Sequence, residues 1–298
     1  MTVAEQILSG EIRAIARAAT QIENGRAEAL LRELFPHTGK ALILGVTGAP
    51  GSGKSTLCDQ LTRALRAEQK KVAILAIDPS SPFSGGAILG DRIRMQHHHA
   101  DNRVFIRSMA TRGWLGGLSR ATTEMTMLLD AAGYDVVIVE TVGVGQDEVE
   151  IARLAAVTLL VLTPGTGDDV QALKAGIMEI AQVFVINKSD QPGAEKLERD
   201  VKNTLALAHS EKPMPEVVRA VASEGQGIAE VLAAVERFGA QAEDPSRGAE
   251  IWSLRLREML RERLLDRFPP EEFLEAGRDI AEHKRDPYGI LNDWLKRI

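Results

Sequence analysis

Residues 45–56 read GVTGAPGSGKST, after the apolar run ALIL and before LCDQLTRALRAEQ, which has helical character. No other stretch narrows the possible folds of this chain as much. Gly48 to Ser55 match G-x-x-x-x-G-K-S between a strand and a helix, where glycines let backbone N–H groups turn inward around phosphate oxygens. The helix that follows adds partial positive charge at its N-terminus. Gly48, Gly51, Ser52, Gly53 and Thr56 are expected to surround the phosphates, with Lys54 reaching the terminal ones and Ser55 offering its hydroxyl to Mg2+. Cys58, the single cysteine, lies on that helix and is expected to pack in the core. One cysteine excludes an intrachain disulfide and a Cys-based zinc cluster.

Strands and helices alternate around this loop. After a strand at 41–47 come KVAILAID (71–78), RVFIRS (103–108), YDVVIVET (134–141), AVTLLVLT (156–163), QVFVIN (182–187) and EVVRAVA (216–222). Helical patterns fall near 55–69, 119–132, 147–155, 170–180, 194–208 and 226–238. Near-continuous Val, Ile and Leu runs separated by helices predict an α/β fold, a P-loop NTPase with a mostly parallel sheet covered on both faces. Helices at 3–18 and 26–35 precede the first strand, and Pro36, His37 and Gly39 break the chain before it. The polar stretch 240–250 reads as a boundary. Beyond it Ile251, Leu256, Leu260, Leu264 and Phe268 form one helical stripe, followed by helices near 271–283 and 287–297. The expected organisation is an N-terminal helical extension (1–40), a P-loop domain (41–240) and a C-terminal helical dimerisation region (241–298).

A base needs its own contacts. VINKSD ends a strand with Asn187, Lys188, Ser189 and Asp190, an N-K-x-D pattern. Its Asp can accept two hydrogen bonds from guanine, and adenine lacks that pair of donors, so the wrong base leaves a buried acceptor unpaired. The backbone near Ala222 and Ser223, in AVASEGQG (220–227), is the expected further contact. GTP and GDP are therefore the expected nucleotides.

Thirty-six basic and forty-two acidic residues give a net charge of −6, which speaks against a nucleic-acid partner. The N-terminal residues carry no signal-like apolar core, and no run approaches a membrane span, so no membrane partner and a cytoplasmic location are expected. HHH at 97–99 invites a metal reading, but adjacent helical residues diverge too far in direction for three to converge on one ion.

With both nucleotide motifs in place, AIDPSSPFSGGAILGDRIRM (76–95), VFIRSMATRG (104–113), VETVGVGQDEVEI (139–151) and TPGTGDDVQALKAGIMEIA (163–181) resemble the MeaB/ArgK family, the GTPases associated with methylmalonyl-CoA mutase. The resemblance implies a homodimer. It also implies GTP hydrolysis coupled to delivery of adenosylcobalamin to a cobalamin-dependent acyl-CoA mutase and to protection of that enzyme.

It further implies that Asp78, Asp91 and Glu140 join Ser55 around Mg2+. This cation takes one or two direct carboxylates and keeps waters, so some of the three act through water. Gly143, in ETVGVGQ (140–146), is expected to offer its N–H to the terminal phosphate. Ras-like GTPases place a water-positioning Gln directly after this Gly, whereas here Val144 follows and Gln146 is out of register. Slow intrinsic hydrolysis, accelerated by a partner, is the expectation. Arg94, in a segment resembling the first switch (85–95), could stabilise charge on the transferred phosphoryl group or be a surface arginine. The segment 165–176, with Asp168, Gln171 and Lys174, resembles the element that passes nucleotide state to the mutase.

Two other functions compete. One is a GTPase serving another metallocentre, and the other is a kinase of a transport system. The absence of a Cys metal motif weighs against the first, and the guanine motif against an ATP-using kinase.

Overall fold

The Val/Ile/Leu runs become strands because helices cover both faces of the sheet they form. The computed structural model describes residues 1–78, 98, 100–110, 120–141, 151–152, 154–165, 181–207, 213–242 and 245–298. Strands β1 (Leu42–Thr47), β2 (Val72–Asp78), β3 (Val104–Ala110), β4 (Val136–Glu140), β5 (Val157–Leu162), β6 (Val183–Ile186) and β7 (Glu216–Arg219) make one sheet in the order β3-β2-β4-β1-β5-β6-β7. All pairs are parallel. β1 lies at the point where the chain changes direction: β2 to β4 build one side and β5 to β7 the other. Ligands of open α/β sheets bind at the carboxyl ends of strands at such a point.

Helices α1 (Val3–Leu8), α2 (Ile12–Glu23), α3 (Glu28–Leu34), α4 (Lys54–Ala67), α5 (Arg120–Ala131), α6 (Ala194–Leu207) and α7 (Ile228–Ala242) complete the larger unit. On one face Ile7, Ile15, Ile22 and Leu34 of α1 to α3 pack with Met125 and Leu128 of α5 against Leu75, Val137 and Val139. On the other, Leu57, Leu61 and Leu65 of α4 and Val231, Val235 and Phe238 of α7 pack against Leu44, Val46, Ile74 and Ile138. Cys58 is fully buried in that layer. α6 covers β5 and β6 through Leu197, Val201 and Leu205.

Chain entry into β1 is fixed from a distance. The Asp130 carboxylate, at the end of α5, accepts hydrogen bonds from the N–H groups of Gly39 (2.5 Å), Lys40 (3.1 Å) and Ala41 (2.9 Å).

Three local expectations change. The helix read as 3–18 is two helices, because Ser9 caps α1 and Gly10 takes a left-handed φ of +80°. The run 216–222 stays strand only to Arg219, after which Val221 turns to bridge Gln226. The helix expected beyond the 240–250 stretch starts inside it, as α8 (Pro245–Leu265), since Pro at a first helical position favours initiation.

Contacts divide the chain into two units, Met1–Ala249 and Glu250–Ile298. Within the smaller one, α9 (Pro270–Ala281) and α10 (Pro287–Leu295) follow α8. Its centre is aromatic: Phe268 stacks on Trp294 at 5.0 Å, and Phe273 meets Trp294 edge-on at 4.8 Å. Arg297 lies over the Phe268 ring and pairs with Glu272. The expected stripe divides: α8 ends at Leu265 and Phe268 beyond it is buried in this cluster, whereas Leu256 and Leu260 on α8 are 59% and 60% exposed. No helix among the described residues is long and apolar enough to cross a membrane.

Candidate nucleotide-binding site

The glycine-rich loop leaves β1 and enters α4 through Gly53, which caps that helix in a left-handed conformation with φ +92°. A side chain would fail here for two reasons, since the φ disfavours one and its Cβ would collide with the Asn187 amide. Gly48, at φ +140°, is equally constrained: a Cβ would run into the Val161 carbonyl of β5. The loop is thus pressed against β5 on one flank and Asn187 on the other.

Lys54 is buried, and its Nζ donates to the carbonyls of Gly48 (2.7 Å) and Ala49 (2.9 Å), so the ammonium sits inside the loop's own curve. Ser52 is buried too, and its Oγ has no hydrogen-bond partner. A buried, unsatisfied hydroxyl in a glycine-rich loop at a helix N-terminus suits phosphate oxygens. Gly51 and Thr56 are exposed.

The Ser55 hydroxyl donates to Glu140 Oε1 at 2.6 Å. Glu140 ends β4, is buried, and lies beside Val46 of β1 and Ala76 of β2. Two residues beyond Ala76, Asp78 ends β2 at the same edge of the sheet. A serine hydroxyl and a buried carboxylate in direct contact at the mouth of a phosphate loop are hard oxygen donors of the kind Mg2+ takes. The residues therefore fit that ion. Behind them Thr141 Oγ1 bonds Thr47 Oγ1 at 2.9 Å, tying β4 to β1 below the loop.

The base motif is joined to the phosphate loop. The Asn187 amide donates to the Ser52 carbonyl at 2.8 Å, while its Oδ1 accepts from the Ala222 N–H at 3.0 Å. Lys188 takes a left-handed φ of +53° and donates its Nζ to the Gly51 carbonyl at 2.9 Å. The Ser189 N–H bonds the Ala220 carbonyl at 3.1 Å, and Asp190 is exposed.

The sequence profile described as "Methylmalonyl Co-A mutase-associated GTPase MeaB" matches residues 15–271. This chain belongs to the MeaB family. A Pyrococcus horikoshii protein named as a putative GTPase is 45% identical over 308 residues, 99% of this chain and 96% of the relative. The mouse mitochondrial "Methylmalonic aciduria type A homolog" is 38% identical over 230 residues, 74% of this chain and 55% of the relative. Among solved structures, one described as an LAO/AO transport system kinase superposes with a TM-score of 0.74 at 29% identity, covering 99% of this chain and 95% of that one.

In this family member the structure brings together Gly48, Gly51, Ser52, Gly53, Lys54, Ser55, Glu140, Asn187 and Lys188. Ala222 takes part through its N–H, which Asn187 engages. Asp91, Arg94, Gly143, Asp168, Gln171 and Lys174 lie outside the described residues, as do His97 and His99. His98 is buried and contacts Asp59 at 2.9 Å. Among the described residues no group of three His, Cys, Asp or Glu converges as a metal site. Sequence reasoning missed that Asn187 and Lys188 brace the loop carbonyls. Their order in N-K-x-D carries that signal only once the sheet sets β6 two strands from β1.

Proposed function

We propose that this protein hydrolyses GTP to GDP and phosphate, and that this cycle gates adenosylcobalamin delivery to, and protection of, a cobalamin-dependent acyl-CoA mutase of the methylmalonyl-CoA type. The observation that carries the nucleotide part is the Asn187–Ser52 bond of 2.8 Å, which makes the guanine-type motif and the phosphate loop one rigid unit. The family membership supports the mutase part.

Backbone N–H groups of residues 48–55 hold the β-phosphate, and Lys54 exchanges the Gly48 and Ala49 carbonyls for β- and γ-phosphate oxygens. Ser55 and Glu140 would hold Mg2+, with Asp78 and Asp91 adding oxygen donors directly or through water. When bound, Mg2+ would neutralise charge that develops on the phosphate oxygens. Asp190 reads guanine, and Lys188 supports the loop beneath it. Gly143 offers its N–H to the γ-phosphate, and Arg94 stabilises charge on the transferred group. No Gln follows Gly143, so water is poorly placed until the partner binds, and basal turnover is slow.

The mutase engages the 165–176 segment. The C-terminal helical region (241–298) contributes a homodimer contact through the exposed Leu256 and Leu260. The working protein resides in the cytoplasm, with the mutase. The test is GTP turnover measured with and without a cobalamin-dependent acyl-CoA mutase, beside direct titration of GTP and ATP. Equal affinity for ATP overturns the guanine assignment. Turnover that no such mutase alters overturns the gating role and favours service to another metallocentre.

A further inference from the structure

The helix that carries Lys54 and Ser55 is gripped a turn further on. Asp59, four residues after Ser55 and on the same face of α4, is buried and contacts His98 Nε2 at 2.9 Å through Oδ1. Its Oδ2 lies 3.1 Å from Arg63 Nε. A turn later Arg66 donates to Asp101 at 2.7 Å, and the Asp101 N–H bonds the His98 carbonyl at 3.0 Å. Asp101 also accepts from the Arg103 N–H at 2.9 Å, directly before β3. Two side chains of α4 therefore hold His98 and Asp101.

A 2.9 Å contact between two residues that are both over nine-tenths buried is far more specific than helix–turn packing requires. Leu or Phe at 98 would take this contact away from the buried Asp59 carboxylate, and a buried charge that loses a partner is costly. The grip on Asp59 also falls on the face of α4 that carries Ser55.

We infer that His98 is a positioning residue for phosphoryl transfer: through Asp59 it fixes the phosphate-loop helix on the face of Ser55. This rests on the GTPase reading above. The bond is separate from the base contacts and from the loop carbonyls held by Asn187 and Lys188. Its loss therefore acts on turnover and leaves nucleotide affinity nearly intact. Asp59 keeps Arg63 as an ionic partner when His98 is replaced, so the variants retain a compensated carboxylate.

The experiment compares wild type, His98→Ala and His98→Gln. Gln can reach Asp59 with an amide donor and restores the bond without the ring. Expected are a kcat for GTP lowered about tenfold or more in His98→Ala, GDP affinity within about threefold of wild type, and recovery of most of kcat in His98→Gln. Unchanged kcat in His98→Ala overturns the inference. So does a parallel loss of GDP affinity, or a His98→Gln variant no better than alanine. Hydrogen exchange on the nucleotide-free proteins tests the anchor without turnover. Faster exchange across 98–104 in His98→Ala, but not in His98→Gln, supports it; equal exchange in all three overturns it. A wild type without GTP turnover counts against the GTPase reading, while the exchange result still decides for or against the anchor.

Discussion

Asn187 stands between Ser52 and Ala222, giving its amide to the first at 2.8 Å and accepting from the second at 3.0 Å. One buried side chain thus sets the spacing between the phosphate loop and the 220–227 loop. Each of these bonds contributes about 1 kcal/mol net, and leaving the Ser52 carbonyl and Ala222 N–H unpaired costs about 1–3 kcal/mol more. Asn187→Ala should therefore lower GDP affinity by roughly 10- to 100-fold, an energy of about 1.4–2.8 kcal/mol, with part of the loss appearing as a lower Tm. Titration with a fluorescent GDP analogue measures this, and unchanged affinity would show that the strut has no part in nucleotide binding.

Asp190 is exposed, as a residue that meets a base at the rim of the site should be. Asp190→Asn exchanges two acceptors for one acceptor and a donor, which suits xanthine. GTP affinity should fall by about two orders of magnitude, from losing roughly 3 kcal/mol of charge-assisted hydrogen bonding, while affinity for xanthosine triphosphate rises. Calorimetry with both nucleotides decides it.

Asp130 illustrates what the sequence leaves hidden. A carboxylate at a helix C-terminus opposes the helix dipole, and it is retained here by three N–H donors some ninety residues away in sequence. Asp130→Ala should cost about 2–3 kcal/mol, roughly 5–10 °C in Tm for a unit of this size, with little change in nucleotide affinity. A melt of the variant showing wild-type Tm would remove the carboxylate from the account of how β1 is entered.

The same contrast runs through the fold. The strands were legible because their Val, Ile and Leu runs are buried on both faces, as at Val137 to Val139, all fully buried. The phosphate loop was legible because glycine spacing and the flanking strand and helix agree. The break at Gly10 was not, because a glycine within an apolar helical pattern can stay helical or take its left-handed φ, and only packing decides. Pro245 was ambiguous in the same way, being both a breaker and a good first residue of α8. The grip of Lys188 on the Gly51 carbonyl depends on the strand order, which no local pattern encodes.

Acid should loosen the sheet edge near β7. Lys202, then Arg219, hold Glu198 below the usual carboxylate range, and Arg237 does the same for Glu216. A depressed folded-state pKa contributes stability that is present above the unfolded value and is lost as pH falls through the folded one. The unfolded values are near 4.5 for both, so the loss begins below about that pH. These pairs are near the surface, where solvent screening keeps each contribution small. Urea midpoints from about pH 6 to 3 should fall less steeply in Glu198→Gln than in wild type, and parallel curves would assign the acid sensitivity to other carboxylates.

Coupling to the mutase is the most consequential prediction. The segment GTGDDVQALKAG (165–176) follows β5, directly beside the strand that feeds the phosphate loop. Val144 follows Gly143 in the sequence, where Ras-like GTPases carry a Gln, so the isolated protein should turn GTP over slowly. A cobalamin-dependent acyl-CoA mutase should accelerate it by roughly 10- to 1,000-fold, below or within the range of arginine-finger activation. If Asp168, Gln171 and Lys174 relay the signal, Lys174→Ala should keep GTP affinity and the basal rate while losing most of the acceleration. A residue in direct phosphate contact would behave otherwise, since its loss lowers the basal rate as well. Turnover assays of wild type and Lys174→Ala, each with and without the mutase, separate the two. Equal stimulation of both proteins would take this segment out of the relay, and a basal rate that falls in step with the stimulated one would move Lys174 into the phosphate site.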